Sequence, residues 1–173
     1  MNKNNNDSII GDLFSIDQSI VLNTLNEISF TGKTQYLPAL IEVLHLSENQ
    51  EVKQLIIKIL SELKMTDAAA ILVDAINDPK FKDEQEVLVR ICWENGLNFS
   101  PYLSTFVDLA IHGDYMTSFE AVTVIENSEG EISEGEAQAL IVTIEKWMDK
   151  ISSERKILLS NVVSFLPSLI KSA

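Results

Sequence analysis

The chain has 173 residues, 46% of them apolar, and 13 Lys and Arg stand against 26 Asp and Glu, a net charge of −13. The length suits one domain, and the apolar fraction is that of a packed core rather than a disordered chain. The charge disfavours a nucleic-acid binder and an anionic membrane surface, because both attractions come from Lys and Arg.

Cys92 is the sole cysteine, so no intrachain disulfide, zinc ribbon or CxxC redox pair can form. The start, Met1-Asn2-Lys3-Asn4-Asn5-Asn6-Asp7, is followed by a segment broken by Gly11 and Asp12 rather than by the apolar run of a secretory signal. No stretch approaches the roughly 18 apolar residues of a membrane span. These features lead to the expectation of a soluble cytoplasmic protein with no membrane partner.

In chain order, residues 1–14 read as a disordered polar tail, since the Asn run has no hydrophobic period. Residues 15–173 read as a single helical domain. The apolar spacing predicts helices over 16–29, 35–46, 50–64, 67–77, 84–95, 101–112, 118–127, 134–149 and 153–166. No run alternates as a half-buried strand does. Ser15/Gln18, Ser47/Gln50, Asp83/Glu86, Thr117/Glu120 and Ser133/Glu136 each have the spacing of a capping box, in which two orphan backbone donors are satisfied. Ser100-Pro101 places a cap before a first-turn proline, and Pro167 should end the last helix.

The chain also repeats itself. Residues 36–44 (YLPALIEVL) match 68–76 (AAAILVDAI) and 102–110 (YLSTFVDLA), with a weaker copy at 137–145 (AQALIVTIE). The intervals are 68 − 36 = 32, 102 − 68 = 34 and 137 − 102 = 35. In the first three copies an apolar pair precedes one acid: Leu40-Ile41-Glu42, Leu72-Val73-Asp74 and Phe106-Val107-Asp108. A fixed period with two helices per copy is the signature of a solenoid, in which each hairpin buries its apolar face only by stacking on the next.

Leu40-Ile41-Glu42-Val43-Leu44, the polar turn Glu48-Asn49-Gln50-Glu51, the Val52-Lys53 pair and Ile59-Leu60-Ser61-Glu62-Leu63 together resemble a HEAT repeat. The resemblance runs over residues 15 to 170 and is strongest over 36–76, with Lys53 standing at the motif's basic position. It implies an all-α, right-handed α-α superhelix of about four hairpins, with helices 16–29 and 153–166 as caps. It further implies inner helices that line a concave, partner-binding face, and hence a non-catalytic protein-interaction module.

Catalytic and cofactor motifs are wanting. Thr31-Gly32-Lys33-Thr34 ends like a phosphate-binding loop, but Glu27 stands where the first glycine belongs; Gly32 reads as a turn. His45 and His112 lie near the ends of equivalent helices without the ligand set of a zinc site. Glu126, Glu129, Glu131, Glu134 and Glu136 crowd one loop, yet Gly130 and Gly135 are out of calcium-loop register. Cys92 shares the apolar register of Leu88 and Ile91 and reads as core. No metal, cofactor or enzymatic activity is expected.

The sharpest feature is a row of acids. Neighbouring solenoid helices stack roughly 10 Å apart, so Glu42, Asp74 and Asp108 would form a carboxylate ladder. The expected partner is a basic protein or peptide, gripped by that ladder, by His45 and His112 with Asp78 and Asp114 alongside, and by Trp147 as an aromatic anchor. Trp93 is expected to be buried. A monomer is favoured. Two alternatives use the same residues differently: an immunity-type inhibitor of one basic toxin, and a small-ligand cavity near His45 and His112.

Overall fold

The structure is a computed structural model and describes residues 3–31 and 33–171. It is all-helical, with ten α-helices, short 3₁₀ turns and no strand among the described residues. None of these helices is long and apolar enough to cross a membrane. The chain divides into two compact units, Met1–Glu84 and Gln85–Ala173, where the sequence suggests a single domain.

The first unit holds α1 (Lys3–Leu13), α2 (Gln18–Thr31), α3 (Leu37–Leu46), α4 (Gln50–Ser61) and α5 (Ala68–Asn77), and closes with a 3₁₀ turn, Pro79–Glu84. α1 corrects the expectation of a polar tail. Its sequence is a poor helix former, but Leu13 is driven into the core, and Asn6 accepts a hydrogen bond from the Tyr36 hydroxyl at 3.1 Å. Tertiary contact outweighs weak propensity here. α1 packs on α2 and α3, α2 on α4, and α3 on α4 and α5, so neighbours meet and next-but-one neighbours stack. Leu25, Leu40, Ile56, Leu60 and Leu72 form the core.

The second unit holds α6 (Gln85–Glu94), α7 (Leu103–His112), α8 (Tyr115–Glu126), α9 (Glu134–Glu145) and α10 (Ser153–Phe165), followed by a 3₁₀ turn over Leu166–Leu169 that contains Pro167. Here α6 packs on α8, α7 on α8 and α9, and α10 on all three of α7, α8 and α9. Phe99 and Phe106 meet edge to face at 5.7 Å in this core. Gly96 follows α6 in the left-handed region (φ 66°), which an L side chain enters only with strain.

The caps differ from the capping-box reading in an instructive way. Ser133/Glu136 forms the full reciprocal box at the start of α9. α4 is instead capped by Asn49, whose side chain accepts from the backbone N–H groups of Glu51 and Val52, and α8 by Asp114, which accepts from Thr117. At α2 the acceptor is Asp17, which receives both the N–H and the hydroxyl of Ser19. α6 is preceded by the Pro79–Glu84 turn rather than by an Asp83 cap, and Ser100 opens a 3₁₀ turn instead of capping a helix. Asn and Asp cap as well as Ser and Thr do, so the nearest short polar residue to the helix wins.

Candidate functional site

The repeated helices set the site. In the first unit Glu42 on α3 and Asp74 on α5 occupy the same place in successive copies, and the two helices pack side by side. Between them lies an open groove of about 400 Å³ with an apolar floor of Ile41, Ile71, Ala75 and Phe81. Glu42, Asp74 and Asp78 stand at its edge with a single cation, Lys80. The Leu40 and Ile41 side chains preceding Glu42 are buried, as are Leu72 and Val73 before Asp74. Core packing therefore fixes the register that presents the acids.

Lys80 is held in the groove from two sides. Its ammonium donates to the Glu42 carboxylate at 2.5 Å and lies 5.3 Å from the centre of the Phe81 ring. Phe81 in turn meets the edge of the His45 ring at 5.6 Å, and His45 Nδ1 is 2.9 Å from a carboxylate oxygen of the buried Glu84. Asp78 is occupied locally, accepting from the Lys80 backbone N–H at 2.9 Å. Asp74 is exposed and has no ion-pair partner among the described residues.

The second unit brings Asp108, His112 and Trp147 together. The His112 and Trp147 rings meet edge to face at 4.6 Å, and Lys150 Nζ sits 4.7 Å from the Trp147 ring centre. Asp108, on α7, is 3.7 Å from His112 Nε2. Cation, aromatic ring and histidine thus occur in the same order as in the first unit, with a carboxylate nearby. The match is one of chemistry rather than register. At the repeat interval of 102 − 36 = 66, position 45 corresponds to 111, so His112 lies one residue further on.

The fourth sequence copy needs a correction of one residue. α9 buries Ala137 and Ile144 while Val142 is 52% exposed, so the match of Ala137 to Tyr36 puts an apolar side chain into solvent. Matching Ala137 to Leu37 instead, an interval of 137 − 37 = 100, sets Leu140, Ile141 and Ile144 against Leu40, Ile41 and Leu44. The position of Glu42 is then taken by Val142, and α9 contributes no acid to the row.

Other candidates resolve individually. Cys92 is buried, its thiol donates to the Leu88 carbonyl at 3.3 Å, and desolvation pushes its pKa far up, which suppresses the thiolate. Trp93 is half-buried rather than buried, and its indole N–H donates to the buried Glu120 carboxylate at 2.6 Å. Asp114, named as a flank of the ladder, serves as the α8 cap. The glutamates of the 126–136 loop are exposed, and Gly130 within it packs so tightly that a Cβ would fall 1.9 Å from Ser100 Oγ. Thr34 donates to Asp67 at 2.7 Å, while Gly32 lies outside the described residues. No three His, Cys, Asp or Glu side chains converge as a metal site would require among the described residues.

Sequence reasoning missed Lys80, Phe81, Glu84 and Lys150. All four sit in 3₁₀ turns just beyond α5 or α9, where the hydrophobic period has ended. The available signal was positional: a lysine within three residues of an aromatic, directly after a repeated copy. No protein-family model matches the chain, and no curated protein matches it significantly.

Proposed function

We propose that the chain is a HEAT-like helical solenoid of about four hairpins that works as a non-catalytic interaction module, presenting carboxylates from its inner helices to a basic peptide or protein. The packing of α3 on α4 and α5, and of α7 on α8 and α9, supports the architecture. The observation that carries the function is the groove of the first unit, where two acids at one repeat position flank an apolar floor. A concave apolar surface with a few placed charges is the general form of a binding site. Three carboxylates against one ammonium leave that surface acidic, so charge favours a cationic partner and speeds its approach. Asp108, with His112 and Trp147, provides a second acidic and aromatic contact.

Affinity capture from lysate of the source cells tests this, with wild type and a Glu42→Ala/Asp74→Ala/Asp108→Ala variant at low and high salt. The expected result is a set of basic proteins retained by wild type at low salt, and depleted both by high salt and by the variant. A single dominant basic species would narrow the reading to an inhibitor with one dedicated target. Equal recovery on both baits contradicts a carboxylate-based surface.

A further inference from the structure

Lys80 does something the net charge of the groove would not require. The described structure places the protein's own ammonium in contact with Glu42, above an aromatic ring, at the edge of an otherwise acidic and apolar groove. That is how a bound basic side chain would be held: charge-assisted hydrogen bonding to a carboxylate, together with attraction to the face of an aromatic ring. We infer that Glu42 and Phe81 form a seat for an arginine side chain of the partner peptide, and that Lys80 occupies this seat in the free protein and must be displaced. The inference rests on the reading that the partner is basic, and adds which group is recognised, where, and what competes for the place.

Arginine fits better than lysine for a physical reason. A lysine would only exchange one ammonium for another of equal charge. A guanidinium is planar, stacks on an aromatic face, and offers several donors in a fixed fork. It can hold Glu42 while its remaining donors reach a second acid on the same edge, and among the described residues Asp74 has no ion-pair partner and, unlike Asp78, is not taken up by the Lys80 backbone N–H. The stem of the side chain would lie along Ile41 and Ala75, which keeps it out of water. Lys80 is itself 46% exposed and sits in a short turn, so moving it aside leaves no buried charge behind. The second unit holds the same kind of resident, Lys150 over Trp147 beside His112. An occupied cation–aromatic seat is therefore a recurring feature rather than an accident of one turn.

The test is a titration with a blocked pentapeptide alternating leucine and arginine, and with the same peptide carrying neutral citrulline in place of arginine. Wild type, Lys80→Met, Lys82→Met and Glu42→Gln/Lys80→Met are compared. Lys82→Met makes the same change of charge in the same turn at a residue that does not line the groove, and so reports a loss of charge outside the seat. An exposed ion pair is worth up to about 1 kcal/mol, so releasing Glu42 from Lys80 should tighten arginine-peptide binding by up to about fivefold. The gain should exceed that of Lys82→Met, should be absent for the citrulline peptide, and should vanish when Glu42 is also replaced. Equal affinities for Lys80→Met and wild type, or equal gains for Lys80→Met and Lys82→Met, overturn the shared seat while leaving a basic partner in place. No preference of wild type for arginine over citrulline overturns the seat and the basic-partner reading together.

Discussion

Glu136 shows how much one side chain can do at a helix start. Its carboxylate accepts from both the hydroxyl and the backbone N–H of Ser133, and these bonds hold its pKa below the ordinary carboxylate value. Asp17 is lowered in the same way by the hydroxyl and N–H of Ser19. The sign follows directly. A carboxylate whose folded pKa is depressed contributes stability above the unfolded value and loses it as pH falls through the folded one. Both groups are fully exposed, so the contribution is small and local. Denaturant midpoints followed from neutral pH into the acid range should therefore fall less steeply for Glu136→Gln than for wild type. An unchanged acid limb would mean that the box does not persist in solution. At this scale the sequence was partly legible. The Ser133/Glu136 spacing marked a real box, but Ser47 and Thr117 were chosen over Asn49 and Asp114, because the motif specifies a spacing and the backbone decides which short polar side chain lies at the helix end. Lys80 and Phe81 were illegible for a different reason. Their importance comes from a cation, a ring and a carboxylate meeting across 38 residues of chain, between Glu42 and Lys80.

The helices were the most legible level, since the 3.6-residue period of their buried faces is written directly in the order of residues. α3, α5 and α7 fall within two residues of the ranges expected from the pattern. α1 was missed because Asn is a weak helix former and its few apolar residues mean nothing until Leu13 has a core to enter. Connections between helices are harder to foresee, and Arg155 on α10 is the example. Its Nη1 donates to the carbonyls of Gly113 at 2.6 Å and Ile111 at 3.2 Å, where α7 runs out of intrahelical donors. A cation at a helix C-terminus satisfies orphan carbonyls and complements the helix dipole. Arg155→Met should lower the unfolding free energy by about 2 kcal/mol, as expected for hydrogen bonds to a charged group. Chemical denaturation would check this. A loss no larger than that of a surface substitution would show that water replaces the guanidinium without cost.

For the molecule as a whole, the periodic pattern led to an all-helical fold, and within each unit the helices pack on one another. The row of three acids needed more than spacing. Glu42 and Asp74 share a groove within the first unit, Asp108 belongs to the second, and the last copy adds no acid, with Val142 at the matching position once its register is shifted by one residue. A periodic pattern reports which faces are buried, because burial sets the period. It does not report which exposed charges pair with one another, because such pairs leave no periodic trace. The groove between α3 and α5 is proposed to bind basic peptides. The most direct test is a heteronuclear NMR titration of the full chain with the leucine–arginine pentapeptide, at low and high salt. Chemical-shift changes should concentrate in residues 38–46 and 71–81, weaken with salt and be absent with the citrulline peptide. Changes centred elsewhere, for instance on the exposed Tyr115, Met116 and Phe119 of α8, or insensitivity to both salt and peptide charge, would contradict it.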